Sequence, residues 1–190
     1  MSKKLFFTAT AAVMIMAASC GQASKAQVNE TKNDGNTNVN VMASLKKVLL
    51  DEVQYFDVAL KKSMYLKDYW TYFSENMYNG PMRQDFAVVD MDGDGVPEVV
   101  LMYDPGELKV FRVEKGTIYG YDFSFRGMNG IKADGTFYWS NDAGSSGVGK
   151  QTFSGTKTET KKLADSNQDN KTDAEWLDFN ETNVKLKVKN

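Results

Sequence analysis

Residues 90–98 read DMDGDGVPE and lie between two short apolar runs, FAVV at 86–89 and VVLMY at 99–103. Both runs are rich in β-branched and aromatic residues, a composition that is typical of strands and not of helices. The stretch therefore predicts a strand, a tight acidic loop and a second strand, and it indicates that a sheet forms the centre of the fold.

The spacing of the acids in this loop predicts a metal site. Carboxylates at loop positions 1, 3 and 5 supply the hard oxygen ligands that calcium prefers, and the glycine at position 6 allows a bend that turns the next carbonyl toward the ion. Three carboxylates this close together repel one another unless a cation lies between them. The alternative is a solvated acidic turn. We predict one calcium ion, bound by Asp90, Asp92, Asp94, Glu98 and the main-chain carbonyl of Val96.

The flanks distinguish this loop from an EF-hand, which has a helix on each side and a bidentate acid at position 12. Position 12 here is Leu101, whose side chain has no ligand atom. The unit resembles the strand–loop–strand calcium sites of FG-GAP repeats in integrin-type propellers. Because the chain has a single copy, the resemblance implies a calcium-clipped strand pair and not a propeller.

The first twenty residues predict export. Lys3 and Lys4 precede an apolar run at 5–18, which is short for a membrane span and typical of a secretory signal. Small residues then precede Cys20, the only cysteine, in an arrangement that resembles a bacterial lipobox. We predict a signal peptide at 1–19 and a lipid on Cys20 that anchors the chain in the cell envelope, at the outer membrane or cell surface. The alternative is an ordinary signal peptidase site with an incidental cysteine.

Charge and composition exclude several classes of function. Removal of residues 1–19 takes away two lysines and no acids, so the formal charge moves from −2 to −4. A mildly acidic chain without a dense basic stripe is not expected to bind nucleic acid. Residues 144–150 match the spacing of a P-loop, but Gln151 and strand-like residues follow, so we predict a Gly/Ser hairpin loop and no nucleotide. The chain has no histidine, which removes the usual catalytic base and most zinc sites.

The domain organisation follows from apolar patterning. Residues 20–43 contain few apolar residues, which predicts a flexible tether behind the lipidated cysteine. We assign residues 44–190 to a single α+β domain, with an N-terminal helix or helices packed on a mostly antiparallel β-meander and a short C-terminal helix. A short helix is expected at 66–73. A long helix is expected after Ser44 as N-cap, from apolar residues at helical spacing: Leu45, Leu49, Val53, Phe56, Leu60 and Met64.

Strands are predicted beyond the acidic loop at 108–113, 119–125, 137–139 and 149–153. Aromatic residues occupy every second position of 119–125, and we expect this face to pack on the long helix. The alternative is an exposed carbohydrate platform. Trp70 and Tyr138 fall outside the apolar stripes and are the candidates for exposed rings.

The C-terminal part carries two further patterns. Thr172 and Glu175 form a capping box that predicts a helix at 173–182. A second acidic cluster lacks the glycine at position 6 and a closing acid, so we expect the helix there, and a second calcium ion is the alternative. Its members are Asp165, Asn167, Asp169 and Asp173.

Two segments, 86–103 and 119–153, are similar to a family of small exported lipoproteins of gut bacteria. Those chains carry an acidic loop between strands, followed by motifs that appear here as GYDFSFR at 120–126 and KADGTF at 132–137. The family has no established activity, and the resemblance implies export and calcium binding.

Two classes of function are compatible with these patterns. We expect a non-enzymatic module that binds a protein or glycan through the loops at 127–130 and 141–150. The alternative is an accessory hydrolase or inhibitor that acts on envelope or host glycans or proteins.

Overall fold

The computed structural model describes residues 34–76, 83–103, 106–140, 145–165 and 171–188. The predicted signal peptide, Cys20 and the first part of the predicted tether lie outside these ranges. Within them the chain forms three helices and ten strands. In chain order these are α1 (Asp34–Leu49), β1 (Tyr55–Asp57), β2 (Lys62–Met64), α2 (Leu66–Asn76), β3 (Gln84–Val89), β4 (Glu98–Tyr103), β5 (Glu107–Glu114), β6 (Thr117–Phe123), β7 (Phe137–Ser140), β8 (Ser146–Ser154), β9 (Lys157–Asp165), β10 (Leu177–Asp178) and α3 (Glu181–Lys187).

The strands form two sheets. The larger sheet has the order β10-β3-β4-β5-β6-β1-β2, and its neighbouring strands are antiparallel except for β1 and β6, which run parallel. The smaller sheet is antiparallel and has the order β7-β8-β9. Strands β3 to β6 are therefore a meander, and the predicted α+β class with a mostly antiparallel sheet is confirmed.

The predicted strands correspond to β3 through β8, with bounds that differ by a few residues. Strand β9 has no counterpart among the predictions. Its sequence, KTETKKLAD, has no alternation of apolar and polar residues from which a strand could be predicted. In the structure each of these residues is exposed. Strand β9 pairs with β8 through hydrogen bonds of the main chain, which composition alone does not reveal.

The predicted long helix at 45–64 is wrong. Helix α1 begins inside the predicted tether, at Asp34, and ends at Leu49. It therefore contains only the first two of the six apolar residues on which the predicted helix was based. The N–H groups of Asp51 and Glu52 donate to the carbonyls of Val48 (3.0 Å) and Lys47 (2.8 Å), and Asp51 has a φ of 61°. This pattern is a Schellman helix end, in which an aspartate takes the left-handed position that glycine usually holds.

The remainder of the predicted helix forms the β1–β2 hairpin. Asp57 pairs with Lys62, and the Asp57 side chain accepts a hydrogen bond of 2.8 Å from the N–H of Leu60 in the turn. Tyr55 and Met64 pair at the other end of the hairpin and are buried. Phe56, Leu60 and Met64, which have helical spacing in the sequence, therefore lie in the two strands of a hairpin and in its turn. The short helix predicted at 66–73 corresponds to α2.

The larger sheet is covered on both faces. Alternate residues of β4 point to opposite faces. Val99 and Leu101 belong to the cluster on the face covered by the helices, the helix-side core, and Val100 belongs to the cluster on the other face, the second-sheet core. The helix-side core also contains Leu45, Val48, Leu66, Phe73, Phe86 and Phe111. The second-sheet core contains Ala87, Val89, Met91, Val110, Met128, Ile131 and Phe137.

The aromatic side chains of β6 do not pack on a long helix, contrary to the prediction. The Tyr121 ring contacts Phe153 of β8 at a centroid distance of 4.9 Å, and its hydroxyl donates to the Gly155 carbonyl at 2.7 Å. The helix side of β6 has Gly120, where a Cβ would lie 2.6 Å from the ring of Tyr55. The Tyr121 ring is therefore covered by the second sheet, and the face of β6 toward the helices is the one that carries Gly120.

The two rings predicted to be exposed are not. Trp70 and Tyr138 are half-buried, and the Trp70 ring contacts the Tyr103 ring at 5.1 Å. Among the residues that the structure describes, the aromatic ring that faces solvent is that of Phe125, which is 56% exposed.

The helix predicted at 173–182 is also wrong. The chain adds strand β10 to the edge of β3 first, and α3 begins later with Asn180 as N-cap, whose side chain accepts a hydrogen bond of 2.9 Å from the N–H of Asn183. Thr172 does not cap a helix, because its hydroxyl donates to the carbonyl of Ile131. A short C-terminal helix is therefore present, but further along the chain than expected.

Candidate functional site

The acidic loop joins β3 to β4, and its own carboxylates fold it. Asp90 accepts hydrogen bonds from the N–H groups of Gly93 (2.7 Å) and Gly95 (3.0 Å), and Asp94 accepts one from Val96 (2.8 Å). The two glycines have φ values of 80° and 85°, in the region that favours glycine. They allow the main chain to wrap around the first aspartate of the motif.

Three of the predicted metal ligands converge. One carboxylate oxygen from each of Asp90, Asp92 and Glu98 lies within 4.8 Å of the other two. Calcium–oxygen distances are about 2.3 to 2.6 Å, so two ligands of one ion lie at most about 5 Å apart. The side chain of Asp94 is not part of this group. Val96, whose carbonyl was the predicted ligand, donates its N–H to the Asp94 carboxylate. The three oxygens therefore satisfy a geometric condition for sharing one ion.

Arg112 of β5 contacts three of the loop acids, and the sequence reasoning missed it. Its Nη1 lies 2.7 Å from Asp92 Oδ2 and also bonds to Glu98, while its Nη2 lies 2.8 Å from Asp94 Oδ2. The Arg112 side chain is 12% exposed. The guanidinium thus already supplies one positive charge to the loop.

Burial opposes the ionised form of two of the converging acids. The Glu98 side chain is fully buried, and burial raises its pKa to about 8, although the Met91 N–H donates to Oε2 at 2.8 Å and Arg112 lies beside it. Burial also raises the pKa of Asp92 against the attraction of Arg112. A divalent cation at this place would favour both ionised carboxylates.

Two other parts of the chain enclose the loop. A Cβ on Gly135 would lie 2.0 Å from the Asp90 carbonyl oxygen, so the turn at 133–136 requires glycine there. Lys150 Nζ lies 2.8 Å from the position that a Cβ on Gly93 would take. Lys150 belongs to strand β8 and lies beside the acidic loop. The P-loop-like spacing at 144–150 thus does not form a phosphate-binding turn before a helix.

Two members of the second acidic cluster lie among the described residues, and each of them has its own partner. Asp165 lies at the end of β9 and pairs with Lys162, while Asp173 accepts a hydrogen bond of 2.6 Å from the N–H of Ala133. Asn167 and Asp169 lie outside the described residues. In the ranges that the structure describes, the loop acids are the one group of three or more acidic or cysteine side chains that converges.

Comparisons with known proteins add no relative. No protein-family model, no curated protein and no solved structure matches this chain. Among the described residues, none of the helices has both the length and the apolar character that crossing a membrane requires. The interpretation of the site therefore rests on its own geometry and on the sequence.

Proposed function

We propose that this chain is an exported bacterial envelope protein, anchored through a lipid on Cys20, whose acidic loop binds one structural calcium ion. The lipobox-like sequence around Cys20 and the resemblance to exported lipoproteins support the location. In this proposal the N-terminal helices pack on the antiparallel sheet that carries the loop. The domain works by binding a protein or glycan partner and not by catalysis.

The observation that carries the metal proposal is the convergence of three acid oxygens within 4.8 Å. The loop brings four carboxyl groups, and the cations beside them are Arg112, which contacts three, and Lys150, whose Nζ lies next to Gly93. A calcium ion would favour the ionised form of the carboxyl groups, which are the ligands that it prefers. The expected ligands are Asp90, Asp92, Asp94, Glu98 and the carbonyl of Val96.

Arg112 lowers the affinity that we expect. A calcium ion between Asp92 and Glu98 is repelled by the guanidinium and must displace it from these carboxylates. Displacement also releases Asp94, which then joins the ligands. We therefore expect a dissociation constant on the order of 10⁻⁴ to 10⁻³ M, the range of extracellular calcium modules.

The raised pKa of Glu98 does not indicate a catalytic acid. A general acid with a pKa near neutrality is useful to an enzyme, but it must reach its substrate. The Glu98 side chain has no exposed surface, and its two oxygens already contact Met91 and Arg112. The raised pKa of Glu98 is therefore better explained by the burial of a carboxyl group that serves as a metal ligand.

Calorimetric titration of the purified chain with calcium tests the proposal. We expect one ion per chain, with an affinity about tenfold lower or worse in Asp92→Asn, because a ligand charge is lost. Glu159→Gln is the matched control, since Glu159 is an exposed acid of β9, and it should bind calcium like the wild type. Absence of binding by the wild type at millimolar calcium would leave only an acidic turn closed by Arg112.

Membrane attachment is tested by fractionation of the bacterial host. We expect the wild-type chain in the membrane fraction and Cys20→Ala in the soluble fraction, because the thiol is the proposed attachment atom of the lipid. A variant that remains with the membranes would contradict the anchor without affecting the calcium proposal.

A further inference from the structure

Strand β9 forms an open edge of the smaller sheet. It is the last strand in the order β7-β8-β9, so β8 pairs with one side of it, and among the described strands none pairs with its other side. The strand has nine residues, and each of them is exposed. An edge strand of this length presents a row of unpaired main-chain N–H and C=O groups, which can pair with another chain. The edge strands of the larger sheet, β10 and β2, have only two and three residues.

The turn between β8 and β9 determines which main-chain groups face this edge. Gly155 and Thr156 form a two-residue turn between the paired residues Ser154 and Lys157, and Gly155 has the positive φ, 57°, that such turns require. The two residues that flank a turn of this kind exchange both main-chain hydrogen bonds, and the direction of these groups then alternates along the strand. The main-chain groups that face the open edge therefore belong to every second residue of β9: Thr158, Thr160 and Lys162.

A second copy of the same strand matches this edge in charge. Two copies in antiparallel order, related by a two-fold axis at Thr160, place Glu159 of each copy opposite Lys161 of the other. The axis repeats this pair, so the interface contains it twice. Opposite charges at such positions attract, because the Cβ atoms of directly opposed residues lie about 4.5 to 5.5 Å apart. The strand is therefore complementary to itself in this register.

The neighbouring registers do not share this match. A shift by two residues keeps the main-chain hydrogen bonds but moves the two-fold axis to Glu159 or to Lys161, so that one of these residues lies opposite its own copy. Like charges at directly opposed positions are destabilising. Lysines on an edge strand also discourage pairing with other chains. The charges of β9 therefore favour one occupant, a second copy, in one register.

The smaller sheet itself leaves the two charges without an opposite charge across the strand pair. Lys161 lies directly opposite Lys150 of β8, and Glu159 lies opposite Thr152. The Lys150–Lys161 pair is unfavourable, since both side chains are cationic. A second copy would place an acid next to Lys161 and a base next to Glu159, so the free energy of both side chains would be lower in the dimer.

We propose that two copies of this chain associate through β9 in antiparallel order and join their smaller sheets into one sheet of six strands. Main-chain hydrogen bonds supply the attraction, and the two Glu159–Lys161 pairs fix the register. A single strand pair buries less than about 1,200 Å², the size of weak and transient interfaces, so we expect a dissociation constant on the order of 10⁻⁴ M. The association depends on neither the calcium ion nor the lipid anchor.

Sedimentation equilibrium of the purified chain tests the association. A reducing agent is included because it prevents disulfide dimers through Cys20. We expect a reversible change from monomer to dimer as the concentration rises from about 10⁻⁵ to 10⁻³ M. A chain that remains monomeric over this range would overturn the proposal.

Charge exchange on β9 tests the register. Glu159→Lys and Lys161→Glu each turn two attractive pairs into repulsive ones, so each should weaken dimerisation about tenfold or more. The double variant Glu159→Lys/Lys161→Glu exchanges the two charges and should recover the wild-type dissociation constant. Both side chains are exposed, so the fold should persist. Lys62→Glu on the edge strand β2 is the matched control and should dimerise like the wild type. Undiminished dimerisation in either single variant, or no recovery in the double variant, would contradict the proposed pairing.

Discussion

Strand β5 carries two cations on opposite faces, and acids surround each of them. Lys109 shares a face with Phe111 of the helix-side core, whereas Arg112 shares a face with Val110 of the second-sheet core. The two surroundings differ in burial and in charge balance. That difference separates a closed structural cluster from a candidate metal site.

The cluster around Lys109 is closed. Its Nζ lies 2.8 Å from Asp57 Oδ2, 2.5 Å from Asp122 Oδ1 and 3.8 Å from the centre of the Tyr69 ring, and its side chain is fully buried. The hydroxyls of Tyr55 and Tyr69 donate to the same two carboxylates, each at 3.3 Å. Each carboxylate is therefore held by the ammonium group and by one tyrosine hydroxyl, and the cluster joins β1, β5 and β6.

The cluster around Arg112 is open by comparison. One guanidinium contacts Asp92, Asp94 and Glu98, and Asp90 lies beside them without contact to that cation. Asp94 has 40% of its side chain exposed, so solvent reaches the cluster. Asp122 of the Lys109 cluster is also partly exposed, at 28%, but only two acids share that ammonium group. The loop has four acids, and the cations beside it are Arg112 and Lys150, whose Nζ lies next to Gly93.

The largest effect is expected from Lys109→Met. The substitution leaves the fully buried Asp57 and the partly exposed Asp122 without their cation, and loss of a buried partner typically costs about 3 to 5 kcal/mol of folding stability. Chemical denaturation of the variant measures this loss, with Lys161→Met on the exposed strand β9 as a control that should change stability by less than about 0.5 kcal/mol. A loss as small as that of the control would mean that the buried cluster is not structural.

A smaller effect of opposite kind is expected from Arg112→Met. Removal of the guanidinium removes the cation that competes with calcium, so the calcium affinity should rise about tenfold while the calcium-free chain becomes less stable. Calcium titration of the variant measures the change. Arg83→Met, which alters an exposed arginine outside the loop, should bind calcium like the wild type. Unchanged or weaker affinity in Arg112→Met would show that the guanidinium does not compete with the ion.

The strands around the acidic loop could be predicted because both sequence and structure are local there. The runs at 86–89 and 99–103 are apolar, and the glycines between them require a tight turn. The helix at 45–64 could not be excluded in this way, since its apolar spacing fits a helix and also a helix followed by a hairpin. The residue that ends α1 is Asp51, and an aspartate gives no glycine-like signal for a helix end.

The charged partners of the loop were harder to predict because they come from another strand. Val99 pairs with Phe111, and this register places Arg112 beside Glu98. The pairing of β4 with β5 was predictable, but its register was not, because a shift by one residue would turn Arg112 to the opposite face. The binding of calcium itself stays a prediction.

The buried state of Glu98 sets the pH dependence of any stabilisation by calcium. Its pKa is raised from 4.5 to about 8 by burial, so between these values the calcium-free folded chain binds more protons than the unfolded chain. The stability of the calcium-free chain therefore falls as the pH rises through this window. Calcium favours the ionised carboxylate, so its stabilising effect should be larger at pH 8 than at pH 5.

The melting temperature of the purified chain at pH 8, measured in calcium and in chelator, tests the structural role of the ion most directly. A ligand present at 100 times its dissociation constant adds about 2.7 kcal/mol, which corresponds to a rise of about 5 to 10 °C for a chain of this size. We predict that rise for the wild type and a smaller rise at pH 5. Equal melting temperatures in calcium and in chelator at pH 8 would contradict a structural calcium ion in the acidic loop.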